Sequence, residues 1–394
     1  MKLPFTHPSN HHHHHQTSQP TPSSRSLIRV GLLALLASSI AWVYYITDQS
    51  FFTTHQDWDQ YVWHRELDWT PTNSTRLIVV GDIHGMVHSL KKLLRRIDYN
   101  STTDQVFLLG DLAAKHPSID SSLQTIRFAR ESNFTVIRGN HDQDIIAWRN
   151  WMNEHKKYQS QIIGEDESLE HLPEFMSDQP TSSLKRKLPK GWKWKGQHFE
   201  IARRLPRKDF EWLLSLCLTY HLPALNTYFV HAGLLAWDPS RSVRGASPTS
   251  FLDDQVQHSI LQIDQNRDPL TLIEMRGVRK GRRPTSSGKK GTPWFELWNE
   301  AMEGCGTHLG EEPVGEDGKC GGPLNVIYGH WAAKGLTLRP WSSGLDSGCV
   351  YGRGLSAMII GGDTKVKEYR KLEQQSIKVQ GQDVTVVTMK CKKP

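Results

Sequence analysis

None of the five cysteines (Cys217, Cys305, Cys320, Cys349 and Cys391) belongs to a CxxC pair, which argues against a cysteine zinc site. No internal repeat runs through the chain. Hydrophobic residues are sparse, 37 % of 394, because the first 25 residues are polar and the loops carry many charges. Most of the chain can still bury a sizeable core, as one large domain or two small ones. Acidic residues are outnumbered: 48 Lys and Arg face 41 Asp and Glu, for a formal charge of +7. That balance favours anionic partners such as nucleic acid, acidic lipid or phosphate polymers, and is silent on fold.

Residues 1–24 are rich in Ser, Thr, Pro and His without apolar periodicity, and read as a disordered cytosolic tail. The His11–His15 run inside this segment reads as low complexity. Residues 30–46, VGLLALLASSIAWVYYI, form an uninterrupted apolar run, at the short end for a spanning helix. Arg25 and Arg29 precede it, and Trp42, Tyr44 and Tyr45 sit near its far end as interfacial anchors. A cleaved signal peptide is the alternative, but the run is long for one and no small-x-small site follows it. We therefore expect a signal-anchor transmembrane helix over 25–48, a linker over 49–70 and a catalytic domain over 71–394. The flanking positive charges keep the N-terminus cytosolic, so everything after residue 50 is expected in a lumen. Asn73, Asn100 and Asn133 each begin an N-x-S/T triplet and are glycan acceptors in such a compartment. An oxidising lumen also permits a Cys305–Cys320 disulfide across a Gly-rich loop.

From residue 76 a rhythm sets in. LIVV (77–80), VFLL (106–109), 134–137, 228–230 and 324–328 are β-rich runs that each end in a polar motif. Leu90, Leu93, Leu94 and Ile97 mark one helix face between the first two. Strands alternating with helices predict an α/β domain with functional groups on loops at strand ends. Residues 153–210 and 276–322 break the rhythm and read as surface insertions.

The strand-end motifs are Gly81-Asp-Ile-His-Gly85, Gly110-Asp-Leu-Ala-Ala-Lys-His-Pro117, Gly139-Asn-His-Asp142, His231-Ala-Gly233 and Gly329-His330. Asp, His and Asn suit a pair of divalent metals. Asp82 and His84 can reach one metal from a short loop whose Gly81 and Gly85 permit the tight path. Asp111 can bridge two metals roughly 3.5–4 Å apart, with Asn140, His231 and His330 completing the second site. A lone buried His at 231 or 330 would more often be a satisfied core residue; five motifs in order, each after a predicted strand, are not explained that way.

In that order the motifs resemble the phosphoprotein phosphatase branch of the calcineurin-like metallophosphoesterases, over roughly residues 76–362. Ala114, Lys115 and GNHD are similar to the ApaH-like phosphatase group, as are Met275-Arg276, WFELWN (294–299) and the stretch Leu345–Met358. With the membrane anchor, the chain resembles the fungal vacuolar endopolyphosphatases. The resemblance implies a four-layer α/β/β/α sandwich with two divalent ions, Zn, Mn, Co or Fe, between its sheets. It implies that Asp82, His84 and Asp111 hold the first ion and that Asp111, Asn140, His231 and His330 hold the second. His141 is then the general acid, a role that typically contributes about 10²–10⁴-fold, and Arg276 and Lys115 hold phosphate oxygens. A metal-bridged hydroxide is the implied nucleophile. The resemblance departs at Ala114, where protein phosphatases carry an Asp that orients the catalytic His; Asp142 or another carboxylate is left to substitute. It departs again at His116, where relatives usually have Gly.

Arg276, Arg279, Lys280, Arg282, Arg283, Lys289 and Lys290 form one basic run. Lys185, Arg186, Lys187, Lys190, Lys193 and Lys195 form another, with Trp192 and Trp194 interleaved. A cationic track beside two metals suits a long polyanion, so inorganic polyphosphate is the expected substrate and an endopolyphosphatase in the vacuole the expected identity. Interleaved aromatics would equally suit nucleobases, which keeps dinucleoside polyphosphates, RNA caps and phosphoprotein as alternatives.

Overall fold

The computed structural model describes residues 61–154, 188–189, 191–236, 260–281, 283–306, 323–362 and 371–394. The anchor run 30–46, the His11–His15 run and the Cys305–Cys320 pairing lie outside these residues. Among the described residues no helix is long and apolar enough to cross a membrane.

Period-two alternation sorts the strands into layers. In β2 (Arg76–Val80) and β3 (Asp104–Leu108), Ile78, Val80, Val106 and Leu108 face one side, while Leu77, Val79 and Phe107 face the other. Side chains alternate across a strand, so strands buried on both faces must lie inside a stack. β4 (Thr135–Val136) pairs parallel to β3, and β3 to β2. β13 (Gly354–Gly361), β14 (Glu373–Val379) and β15 (Gln382–Lys390) complete this sheet in the order β14-β15-β13-β2-β3-β4.

Six further strands form a second mixed sheet, ordered from Val62–Glu66 (β1) through Cys217–Leu222 (β5), Thr227–Val230 (β6), Asn325–Tyr328 (β10) and Ser342–Gly344 (β12) to Thr337–Arg339 (β11). Phe229 and Ile327 point toward the first sheet, and Tyr228, Val230, Val326 and Tyr328 point away. Phe107 stacks on Phe229 with ring centroids 4.4 Å apart, which joins the two sheets directly. Each such large side chain contributes about 1.5–3 kcal/mol by leaving water.

Helices cover both outer faces. Helix Val87–Arg96 buries Val87, Leu90, Leu93 and Leu94 against the first sheet, as the i, i+3, i+4, i+7 spacing predicts. Helices Ile119–Glu131 and Asn140–Glu154 lie on the same face. Helix Trp294–Gly306 covers the second sheet with Trp294, Phe295, Trp298 and Met302. The expected α/β/β/α layering is what this packing produces.

Three segments depart from the sequence reading. β1 pairs with β5, so the fold begins inside the stretch 49–70 read as linker; His64 and Arg65 hide the strand by polarity. Within 153–210, helix Gln197–Arg204 buries Phe199, Ile201 and Ala202 in the first core. Within 276–322, β7 (Gly277–Arg279), β8 (Arg283–Thr285) and β9 (Thr292–Pro293) form a small sheet beside helix Trp294–Gly306. Their charged or Gly/Pro-rich stretches mask short buried faces.

Cys349 and Cys391 form a disulfide, a pairing that spacing did not reveal. It ties the loop after β12 to the end of β15, where Cys391 N–H donates to Arg353 O at 2.8 Å. With a sequence separation of 42 between the cysteines, chain entropy assigns the bond about 4 kcal/mol. A Cys391→Ser variant is expected to show a lower urea midpoint. Equal midpoints for the variant and the oxidised native chain would mean that the bond contributes nothing.

Candidate metal centre

Five loops meet where β2, β3, β4, β6 and β10 end, and several of their residues take left-handed backbone conformations. Asp111, His84, Lys115, Ala114 and His330 have φ between 47° and 69°. That conformation costs a residue with a side chain energy, and it clusters where geometry serves function. The glycines are needed for closeness. A Cβ on Gly329 would sit 2.2 Å from Asp82 Oδ1, and one on Gly139 would sit 2.3 Å from Asp111 Oδ1.

The structure brings all six expected ligands together. His84 Nε2 lies 3.7 Å from Asp82 Oδ2 and 3.5 Å from Asp111 Oδ2. His231 Nε2 lies 3.5 Å from Asp111 Oδ1 and 3.2 Å from Asn140 Oδ1. His330 Nδ1 lies 3.0 Å from Asn140 Oδ1, and its backbone N–H donates to Asp82. Asp111 belongs to two ligand clusters, one with His84 and His141 and one with His231 and His330.

Each ligand histidine turns its other ring nitrogen to a backbone carbonyl. His84 Nδ1 meets Ala113 O at 3.2 Å, His231 Nδ1 meets Leu109 O at 2.6 Å, and His330 Nε2 meets Glu274 O at 3.1 Å. Such contacts set the tautomer and aim the remaining lone pair. Each inward nitrogen faces a carboxylate or amide oxygen.

The electrostatics ask for cations. Burial raises Asp82 well above the usual carboxylate range, and Asp346 and Asp111 beside it push the same way. Burial opposes ionisation of Asp111 as well, but His231, His141 and His84 hold its carboxyl well below the usual value. Burial would depress His231, yet Asp111 and Asp82 lift it to about 9. Burial pushes His84 down to about 4, helped by Lys115, and pushes His330 well down, helped by His231 and Arg276. Asp111 Oδ2 and Asp346 Oδ2 are buried without a hydrogen-bond partner. Crowded carboxylates, orphaned oxygens and pre-aimed imidazoles fit two divalent ions.

The remaining expected residues also converge. Lys115 Nζ lies 3.1 Å from His84 Nε2. Half-buried Arg276 donates from Nη1 to Ser286 O at 3.0 Å and feels Glu274, Asp111 and Asp82. His141 N–H donates to Asp111 Oδ1 at 2.9 Å. Asp142 does not orient His141: its oxygens accept from Leu112 N–H and Gly139 N–H, both at 3.0 Å, stitching two loops together. His116 Nδ1 accepts from Ser118 N–H at 3.0 Å.

Sequence reasoning missed Asp346 and His198. Asp346 follows β12, a strand too short and Ser/Gly-rich to signal itself. His198 Nε2 lies 2.8 Å from His141 Nδ1 and 3.6 Å from Asp144 Oδ2, and no local motif marks it. Trp192 and Trp194, read as interleaved with lysines, pack inward. Their rings lie 4.2 Å from Trp148 and 4.7 Å from Phe199, respectively.

A family model described as calcineurin-like phosphoesterase matches residues 75–332. A symmetrical bis(5'-nucleosyl)-tetraphosphatase of Methylobacillus flagellatus is 25 % identical over 303 residues, covering 72 % of this chain and 91 % of the relative. The enzyme of that name from Aeromonas hydrophila is 27 % identical, covering 70 % and 91 %. A solved structure described as a putative diadenosine tetraphosphatase is similar at a TM-score of 0.45 and 23 % identity, covering 76 % of this chain and 94 % of that one.

Proposed function

The chain belongs to the calcineurin-like phosphoesterase family, a hydrolase of phosphoester or anhydride bonds, and on that premise we propose that it cleaves an internal phosphoric anhydride in a linear chain of phosphates capped by nucleosides. The observation that carries the capped form is Tyr351. Its ring is 50 % exposed and lies 5.9 Å from Lys115 Nζ. An exposed aromatic face beside a phosphate-binding cation offers a nucleobase a stacking platform. The tetraphosphatase relatives support the same reading.

Asp82, His84 and Asp111 would hold one ion, and Asp111, Asn140, His231 and His330 the other. Divalent ions held there activate water and offset phosphate charge. Lys115 and Arg276 clamp non-bridging oxygens on either side of that cluster. His141, with Nδ1 engaged by His198, keeps Nε2 to protonate the departing phosphate oxygen.

Inorganic polyphosphate is the second reading. Lys280, Arg283, Lys289 and Lys290 are exposed on and around the β7–β8 hairpin next to Arg276, and such a track suits a longer polyanion. For location we propose a lumenal domain behind a membrane anchor at 30–46, with the vacuole as the compartment. Its supports are that apolar run, the exposure of Asn73, Asn100 and Asn133, and a disulfide, which persists in oxidising compartments.

The test compares diadenosine tetraphosphate, long-chain polyphosphate and a phosphoserine peptide, using the full chain loaded with Zn, Mn or Co. The dinucleotide is expected to exceed the peptide in kcat/KM by at least about 10²-fold, because a site paired to its groups rejects what lacks them. Tyr351→Ala is expected to raise KM for the dinucleotide about tenfold, within the range of one lost stack, and to leave polyphosphate unaffected. Shortening of polyphosphate to intermediate lengths, with the dinucleotide slower, would replace the capped reading by the uncapped one. Preference for the peptide would overturn both.

A further inference from the structure

The carboxylates expected to orient His141 are absent from its Nδ1. Position 114 is alanine, and Asp142 spends both oxygens on backbone N–H groups. What meets His141 Nδ1 is a second imidazole, His198 Nε2, at 2.8 Å. The two rings lie nearly parallel, 15° between planes, with centroids 5.0 Å apart.

His198 is held as firmly as the residue it touches. It occupies the first turn of helix Gln197–Arg204. Its neighbour Gln197 clips that turn to the Lys115 loop, accepting from Lys115 N–H at 2.9 Å and donating to His116 O at 2.8 Å. On its other side Phe199 is fully buried. Arg149, on the helix that begins at Asn140 and carries His141, donates to Ala202 O and Leu205 O at 2.6 and 2.9 Å. The two helices are therefore locked together behind the pair of rings.

We propose that His198 is the positioning residue for His141, accepting its Nδ1–H and so keeping His141 Nε2 aimed at the leaving oxygen. This rests on the reading of His141 as the proton donor. His141 donates as the imidazolium, its neutral Nδ1–H tautomer having first taken a proton from water at Nε2; when that Nε2–H breaks, one O–H bond forms on the departing phosphate. His141 is left neutral with its remaining proton on Nδ1, the tautomer that His198 Nε2 holds. The geometry supplies the acceptor; burial, which pushes His198 down to about 4, keeps it neutral with a lone pair available.

The test uses the metal-loaded full chain and two aryl phosphodiesters that differ only in their leaving group, p-nitrophenolate or phenolate. A positioned general acid matters more for the poorer leaving group. His198→Ala is expected to lower kcat about 10²-fold on the phenyl diester and less than about tenfold on the p-nitrophenyl diester, with KM unchanged. Retained p-nitrophenyl turnover also shows that the variant is folded. His198→Gln, whose amide reaches the same point, is expected to recover most of the loss. A second readout needs no turnover. Two-bond proton–nitrogen NMR is expected to find His141 as the Nδ1–H tautomer in the native chain and His198→Gln, and as a mixture in His198→Ala. Equal losses on both esters, or an Nε2–H tautomer in the native chain, would overturn the proposal. Failure of the unaltered chain to hydrolyse either ester or any substrate of the previous section would overturn the proton-donor reading and this inference with it.

Discussion

Asp111→Asn is expected to abolish turnover while leaving the fold intact. Asp111 is the one carboxylate shared by both ligand clusters. Its Oδ2 is buried without a hydrogen bond, and its Oδ1 accepts from His141 N–H. Asparagine preserves shape and can still accept from His141 N–H, so the loop keeps its anchor. It loses the charge that two dications would share, and it places an NH₂ among imidazole nitrogens. Partners one step removed from a metal cost about 10–100-fold when mutated, so a shared ligand should cost more, about 10³-fold or greater in kcat/KM. Circular dichroism of the metal-free variant should stay native-like, while its urea midpoint should fall, because His231, His141 and His84 lose the carboxylate that they hold well below its usual value. Native-like turnover in a metal-loaded Asp111→Asn protein would sink the two-metal assignment.

Withdrawal of the metals should stop hydrolysis and lower thermal stability, and the size of both effects should depend on pH. A ligand that binds only the folded chain stabilises it by about 2.7 kcal/mol at one hundred times its dissociation constant, which is about 5 °C or more in melting temperature. His231 carries the pH dependence. Its folded value is raised to about 9, above the unfolded value of about 6.5. Its contribution to the metal-free fold is therefore fully present below about 6.5 and is lost as pH rises through about 9. Metal must displace that proton, so affinity should rise about tenfold per pH unit between those limits. The gap in melting temperature between loaded and chelated protein should widen over the same window. Calorimetry in two buffers of different ionisation heat should count at least one proton released per loading at pH 7. Affinity that is flat from pH 6.5 to 9 would contradict the placement of His231 as a ligand.

The legible parts of the molecule were those that local chemistry writes. The runs 77–80, 106–109 and 228–230 announced strands because doubly buried strands need unbroken apolar residues, and 324–328 did so with one polar residue, Asn325. The candidate ligands were legible because each follows a β-rich run in a Gly-rich turn, which sets Asp82, His84, Asp111, Asn140, His231 and His330 apart from ordinary polar residues. The elements that escaped carry mixed composition. Val62–Glu66 hides a sheet pairing behind His64 and Arg65. Helix Gln197–Arg204 hides four buried positions among charges, with Phe199 and Ile201 the only large apolar pair.

By itself the amino-acid sequence determined the α/β class and set six residues, Asp82, His84, Asp111, Asn140, His231 and His330, apart as candidate ligands. Those properties follow from residue type and short-range spacing, which the chain carries linearly. Only the tertiary structure decided that His198 rather than Asp142 meets His141, that Asp346 crowds Asp82, and that Trp192 and Trp194 turn inward. It alone paired Cys349 with Cys391. Each of these depends on which distant segments are packed together, 57 residues apart for His141 and His198 and 42 for the disulfide. No local preference encodes such a contact; it exists because burying the layers of the sandwich leaves those segments nowhere else to lie.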